Sequence, residues 1–243
     1  MLKLLLGRAG TGKTRALLEA MAAGDGRPQI LIVPEQHSHS MERQLCAIGG
    51  SRVSLFAEVL SFTRLANRVF SVYGGLAAPA LDGGGRLLLL CAALRSVAPE
   101  LRVYQRPSRK PAFLSGLLAT VDELKTCRIT PEQLWTAGEE SGGGEGDKLR
   151  DLSLIYGAYE AMTARQGADP RDRLTRLAEA LTREDWAAGK DFYLDAFTDF
   201  TPQERAVLST LLGKANSVTV ALTCDKLEED EGGAGIFFPA RRT

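Results

Sequence analysis

Long apolar runs are missing from this chain of 243 residues. Its wholly apolar stretches fall far short of the ~20 residues that a membrane-spanning helix needs. Charge of one sign is missing too: 30 basic residues balance 30 acidic ones. Any nucleic-acid contact must then be local rather than a property of the whole surface. Cysteine is sparse. Cys46, Cys91, Cys127 and Cys224 are scattered without C-x-x-C spacing, which signals neither a zinc site nor a disulfide framework and suits reduced thiols. His37 and His39 have no further histidine or cysteine beside them, so a metal site there is not expected. The segment after Met1 reads as a strand, not a leader peptide. With no address signal, the expectation is a cytoplasmic protein. A hydrophobic fraction of 44% suffices for a core, and the length suits one large domain or two small ones.

What is present is concentrated at the start. The apolar Leu4-Leu5-Leu6 runs into Gly7-Arg8-Ala9-Gly10-Thr11-Gly12-Lys13-Thr14, and a helical pattern follows from Arg15 to Ala23. This is G-x-x-x-x-G-K-[ST] between a strand and a helix, the phosphate-loop pattern in its proper context. The glycines let backbone N–H groups turn toward phosphate oxygens, and the helix N-terminus adds a favourable dipole. Lys13 is expected to reach the β- and γ-phosphates of ATP, and the Thr14 hydroxyl to hold Mg²⁺.

Further along, strand and helix alternate. Leu2–Leu6 reads as a buried strand, Gln29–Val33 as a strand covered on both faces, and Arg52–Phe56 as a third. Gly24 to Pro28 is a turn; Ser40–Ile48 and Glu58–Tyr73 have helical character. Such alternation implies a parallel sheet with crossover helices. From about Gly74 to Lys190 only helical segments are read: Arg86–Val97, Ala112–Cys127, Lys148–Arg165 and Arg171–Leu181. Thr130-Pro131-Glu132-Gln133 and Thr201-Pro202-Gln203-Glu204 carry helix-start signals. The glycine- and glutamate-rich stretch from Gly138 to Asp147 reads as a mobile loop. Asp191–Leu194 and Ser217–Leu222 return to strand. The expected organisation is an α/β phosphate-loop domain, 1–74 with 190–225, interrupted by a helical subdomain, 75–189, and followed by a tail, 226–243.

Phe192-Tyr193-Leu194-Asp195 is a hydrophobic strand ending in an aspartate. Phosphate-loop NTPases need such a carboxylate for Mg²⁺, and parallel sheets place ligands at the carboxyl ends of strands. The next residue is Ala196, where many ATP-hydrolysing motors carry a water-orienting glutamate. Asp199 and Glu204 are substitutes that spacing does not demand. Gln36, in Val33-Pro34-Glu35-Gln36, is placed to meet a γ-phosphate or a DNA phosphate, or simply to lie in a helix-start turn with Glu35 favoured by the dipole. Ser61, Thr63 and Arg64 could hold a DNA backbone while Phe62 stacks on a base; the plainer reading is a core Phe with solvated arginines at 64 and 68. Arg102, Arg106, Arg109 and Lys110 around Tyr104 form a basic stretch, either a nucleic-acid groove or a solvated loop. Glu228 to Glu231 is a solvated acidic run.

The phosphate loop, Leu31-Ile32-Val33-Pro34-Glu35-Gln36, Leu60-Ser61-Phe62-Thr63-Arg64-Leu65, and Tyr193 to Glu204, in this order, resemble the N-terminal region of the AddB family. AddB proteins belong to the bacterial AddAB helicase-nucleases, which process double-strand breaks for recombination. The resemblance implies the first RecA-like domain of a superfamily I helicase with a helical subdomain inserted. Gly7 to Thr14 would be motif I, Asp195 would sit in motif II with Ala196 in place of glutamate, and Ser61 to Arg64 would match a motif that touches single-stranded DNA. It implies DNA and an AddA-type motor subunit as partners, Chi recognition, and a C-terminal nuclease domain with an iron–sulfur cluster. That last part is absent here, so the chain reads as a fragment, and its four cysteines are not cluster ligands. Two other readings stay open: a phosphate-loop kinase of a small molecule, and a nucleotide-binding scaffold without hydrolysis.

Overall fold

The computed structural model describes residues 1–24, 26–77, 79–105 and 111–224. Asp25, Arg106, Arg109, Lys110, the acidic run from Glu228 to Glu231 and the tail 226–243 lie outside the described residues. The chain divides into two compact units, one of residues 1–74 with those from 174 onward, the other of residues 75–173.

The first unit is α/β. Strands β1 (Leu2–Gly7), β2 (Gln29–Ile32), β3 (Ala57–Leu60), β4 (Asp191–Leu194) and β5 (Ser217–Thr223) form one sheet, in the order β1-β5-β4-β2-β3. Every pairing is parallel, so all five carboxyl ends meet at one edge. Alternate residues point to opposite faces. Ile30, Ile32, Phe192, Leu194, Val218 and Val220 join one core with helices α3 (Phe62–Tyr73), α8 (Arg173–Arg183) and α9 (Pro202–Lys214). Leu31, Val33, Val59 and Ala221 join the other with α1 (Lys13–Ala22) and α2 (Ser38–Gly49). Burial on both faces explains why β2 is continuously apolar where a one-faced strand would alternate.

Two strand expectations are corrected. β1 is not buried: Leu2 is 50% and Leu4 43% exposed, because among the described residues β1 pairs only with β5 and forms the sheet's edge. Residues 52–56 are not a strand. Ser51–Leu55 is a 3₁₀ turn and β3 starts at Ala57. The turn follows from the glycine pair before it: Gly50 has φ +65°, and a Cβ on Gly49 would lie 2.9 Å from the Val53 Cβ. Val53 thus tucks under the end of α2, and the chain cannot be extended there.

The described residues of the second unit form helices α4 (Gly83–Val97), α5 (Pro111–Thr126), α6 (Pro131–Ser141) and α7 (Gly143–Gln166). Their core includes Leu90, Leu94, Val121, Leu134, Ile155 and Tyr159. The expected mobile loop over residues 138–147 is instead the meeting of α6 and α7. Gly142, with φ +62°, is the hinge between them. A Cβ on Gly138 would lie 2.9 Å from the Gly146 carbonyl oxygen, and one on Gly146 would press on the Gly138 carbonyl in turn. The glycines there mark close backbone approach between helices.

Both capping boxes form. Gln133 N–H donates to Thr130 Oγ1 (3.3 Å) while Thr130 N–H donates to Gln133 Oε1 (2.9 Å). Thr201 and Glu204 repeat the exchange at the start of α9.

Candidate nucleotide site

The glycine-rich loop from Gly7 to Thr14 links β1 to α1, and its glycines are there for steric reasons. Gly10 and Gly12 have φ of +77° and +86°, where a Cβ is disfavoured. A Cβ on Gly7 would lie 2.6 Å from Thr11 Oγ1, a hydroxyl that donates to the Arg8 carbonyl at 2.9 Å. Gly12 is the N-terminal cap of α1, so the first N–H groups of that helix face the loop. Lys13 Nζ donates to the carbonyls of Gly7 (2.7 Å) and Arg8 (2.9 Å). The ammonium therefore already lies within the loop. Arg8, Ala9 and Thr11 are exposed, and Thr14 is half-buried in the first turn of α1.

Asp195 follows β4 at the same edge. It is 5% exposed. Oδ1 accepts from the Ala196 N–H at 2.8 Å, while Oδ2 is buried with no hydrogen-bond partner among the described residues. A buried carboxylate oxygen without a donor is costly, and a cation is the partner it suits. With the Thr14 hydroxyl it makes an all-oxygen donor pair appropriate to Mg²⁺, so the residues present fit that ion. β5 alone separates β4 from β1, which sets the strands of Asp195 and Gly7 about 10 Å apart, two strand spacings.

Ala196 itself has φ +65°. A non-glycine residue in this region costs about 1 kcal/mol, held here by the Asp195 carboxylate on its N–H. Ala196→Gly removes the clash but loosens the unfolded chain. A net gain of about 0.5 kcal/mol in urea unfolding is expected; a loss would mean that the left-handed turn carries no strain.

The register brings two further strand ends into line with that of β4. Asp195 N–H donates to the Ile32 carbonyl (3.2 Å) and Val33 N–H to the Leu60 carbonyl (3.0 Å). Asp195, Val33 and Ser61 are therefore the first residues beyond β4, β2 and β3, side by side. Past Val33 come Glu35 and Gln36, both exposed. Ser61 Oγ donates to Glu35 Oε2 and accepts from the Arg64 N–H at 3.2 Å, capping α3. Phe62 is buried edge-on against Phe197 and Phe200, with ring centroids 5.6 and 6.4 Å away. Thr63 and Arg64 are exposed, and Arg64 pairs with Glu42 at 3.2 Å. Glu204 is committed to its helix cap, and Asp199 Oδ1 accepts from the Phe200 N–H at 2.7 Å.

Three arrangements were not foreseen from sequence. The Ser61–Glu35 bond is one. In the helical unit, Asp151 accepts from the consecutive N–H groups of Arg102, Val103 and Tyr104 at 2.8–3.1 Å, fixing the root of the basic stretch. There too, Asp169, with a side chain 0% exposed, meets Arg86 Nε at 3.1 Å, Lys125 Nζ at 3.5 Å and the Tyr159 hydroxyl at 2.8 Å. Among the described residues no group of His, Cys, Asp and Glu is placed to hold a metal by itself, and no helix is long and apolar enough to cross a membrane.

Residues 4–243 match the family model described as ADDB, N-terminal. The chain is 36% identical over its whole length to the B-type subunit of the ATP-dependent helicase/deoxyribonuclease of Thermoanaerobacter sp. (strain X514), covering 22% of that protein. It is 41% identical over 92% of its length to the protein of the same name from Desulforudis audaxviator (strain MP104C), covering 20%. For the one from Pelotomaculum thermopropionicum (strain DSM 13744 / JCM 10971 / SI) the figures are 38% and 100%, covering 22%. The chain thus spans about a fifth of the length of the curated relatives it matches.

Proposed function

The chain belongs to the ADDB N-terminal family, and from that premise we propose that it is the nucleotide-binding, DNA-contacting start of an ATP-dependent helicase-nuclease subunit. Such a subunit would work with an AddA-type motor subunit on broken DNA ends in recombination, in the cytoplasm. The α/β unit is the RecA-like first domain of a superfamily I helicase, and the helical unit is the subdomain inserted in it. The observation that carries this reading is the pairing, at one sheet edge, of a glycine-shaped loop containing Lys13 with a buried Asp195 that has one oxygen unpartnered.

Each residue has a task. Backbone N–H groups from Gly7 to Thr14 cradle the phosphates. The Lys13 ammonium exchanges two backbone carbonyls for β- and γ-phosphate oxygens, trading neutral acceptors for charged ones. Thr14 and Asp195 would hold Mg²⁺, which when bound neutralises phosphate charge. Thr63 and Arg64 meet the DNA backbone, on a surface that Ser61 and Phe62 support from beneath; a base stacks on Phe62 only if its ring leaves the cluster with Phe197 and Phe200. Gln36 lies at the same edge, within the nucleotide's or the DNA's reach.

Titration of the 243-residue chain with ATP tests this, with and without Mg²⁺ and single-stranded DNA. Saturable, Mg²⁺-dependent binding that DNA strengthens is the expected result, and no binding would overturn the reading. Ala196 favours a second reading, a scaffold that binds nucleotide without turning it over. Binding with no phosphate release would select it.

A further inference from the structure

Lys13 and Asp195 lie at the carboxyl edge of the sheet. The opposite, amino edge has a feature that they leave unused. β2, β3 and β4 start at Gln29, Ala57 and Asp191, and beside these starts lies a cavity of about 340 Å³, within the range of ligand pockets, about 300–1,000 Å³. Phe56 and the buried Trp186 line it. Two further apolar side chains that line it are open to water: Leu55 is 84% exposed and Val72 60%. Local structure explains both. The 3₁₀ turn that tucks Val53 inward turns Leu55 out. Val72 lies off the stripe of Leu65, Ala66, Val69 and Phe70 that α3 buries. Single exposed apolar residues are ordinary. Two at one cavity, beside a cation short of a carboxylate, mark an interaction surface.

That cation is Lys190, the residue before β4. It is half-buried; its Nζ donates to the Trp186 carbonyl and stands 4.7 Å from the centroid of the Trp186 ring. Among the described residues no carboxylate comes within ion-pair distance of it. Burial pushes its ammonium below the ordinary lysine value, and the pull of Glu58 offsets this only in part. Glu58 is itself paired with Arg68 at 2.9 Å. Two cations and one carboxylate thus line the cavity, and one carboxylate from outside would complete the set.

We propose that this amino-edge groove docks a segment of the AddA-type partner subunit in which a large apolar side chain stands next to an aspartate or glutamate. This rests on the reading above that such a subunit is the partner. The apolar side chain covers Leu55 and Val72 while the carboxylate meets Lys190, an apolar anchor joined to a desolvated charge pair. A nucleic-acid strand suits the groove less. It is held by several cations along a track, and here the Glu58 carboxylate, beside Arg68, repels phosphate. The four residues of β2 separate the groove from the carboxyl edge by about 10 Å, so partner and nucleotide can be held at once.

The test is the affinity of the 243-residue chain for a purified AddA-type subunit, measured by calorimetry beside its affinity for ATP. Leu55→Asp, Lys190→Met and Leu88→Asp are compared with the parent, each first checked by thermal unfolding. Leu88, 73% exposed on α4, receives the same change as Leu55 but lies in the other unit. Leu55→Asp should weaken partner binding about 10- to 100-fold and Lys190→Met about 10-fold. Leu88→Asp should bind as the parent does, and ATP affinity should not change in any of them. Equal partner affinity in Leu55→Asp and the parent, or an equal loss in Leu88→Asp, overturns the proposal while the partner reading stands. So does a loss in Leu55→Asp of single-stranded DNA binding or of self-association alone, which would give the groove to nucleic acid or to a second copy of the chain. A parent that binds ATP but no partner subunit defeats the partner reading itself, a separate failure.

Discussion

Replacing Asp169 by alanine is expected to cost about 3–5 kcal/mol of folding stability, a large part of what a domain of this size has. Asp169 is fully buried; it accepts hydrogen bonds from the Tyr159 hydroxyl and the Arg171 N–H, and it forms ion pairs with Arg86 Nε and Lys125 Nζ. Lys125 is buried as well and also meets Asp172 at 2.7 Å and Glu160. Arg86 also meets Asp122. Of the acidic groups around these cations, Asp169 alone touches both and is itself fully buried. Removing it leaves two buried cations short of charge and a buried phenol without an acceptor. Asp122→Ala should cost less, because Asp122 is partly exposed and water can replace it. Urea unfolding checks both, and equal losses would show that Asp169 is no more central than its neighbours.

The loss at Asp169 should depend on pH in a defined direction. Burial alone would raise its carboxyl. The Arg171 N–H, the Lys125 ammonium, the Tyr159 hydroxyl and Arg86 outweigh that and hold it below its ordinary value. A carboxyl depressed in the folded state contributes in full only above its unfolded value, about 3.9, and that contribution disappears as pH falls through the folded value. The gap between parent and Asp169→Ala should therefore be full at neutral pH and close under acid. Lys125 keeps its charge throughout: burial would lower it, but Asp172 and Glu160 raise it above the ordinary lysine range.

Local chemistry made part of this molecule legible in its sequence. The glycine-rich turn from Gly7 to Thr14 is fixed by contiguous residues. Each capping box spans four positions, and β2, β4 and β5 announce themselves as short apolar runs because both faces of the sheet are covered. Contacts between distant segments left no such trace. Ser61 and Glu35 stand 26 positions apart and Arg86 and Tyr159 stand 73 apart, and nothing in spacing pairs them. Lys125 and Asp169 look like surface residues until folding buries them together. The glycines at 138 and 146 resemble a loop because the same residue type serves turns and close helix contact. β1 misled for a related reason: an apolar run gives the strand, while its place at the sheet's edge depends on the order of the other four.

Lys13→Ala is expected to weaken ATP binding about 100- to 10,000-fold. A charged hydrogen bond is worth about 1.5–3 kcal/mol, Lys13 would supply two to phosphate oxygens, and each 1.4 kcal/mol is tenfold in affinity. The fold should survive. Among the described residues the ammonium bonds only to the carbonyls of Gly7 and Arg8, beside exposed loop residues where water can replace it, so the stability change should stay within about 1–2 kcal/mol. The glycines that shape the loop do so through backbone angles and the Thr11 hydroxyl, none of which involves Lys13. Affinity and stability are thus separable at this residue, unlike at Asp169, where the same contacts set the fold. Titration with a fluorescent ATP analogue beside thermal unfolding reads both. A folded Lys13→Ala chain that keeps its affinity would remove the phosphate loop from the nucleotide site, and with it the roles assigned to Thr14 and Asp195.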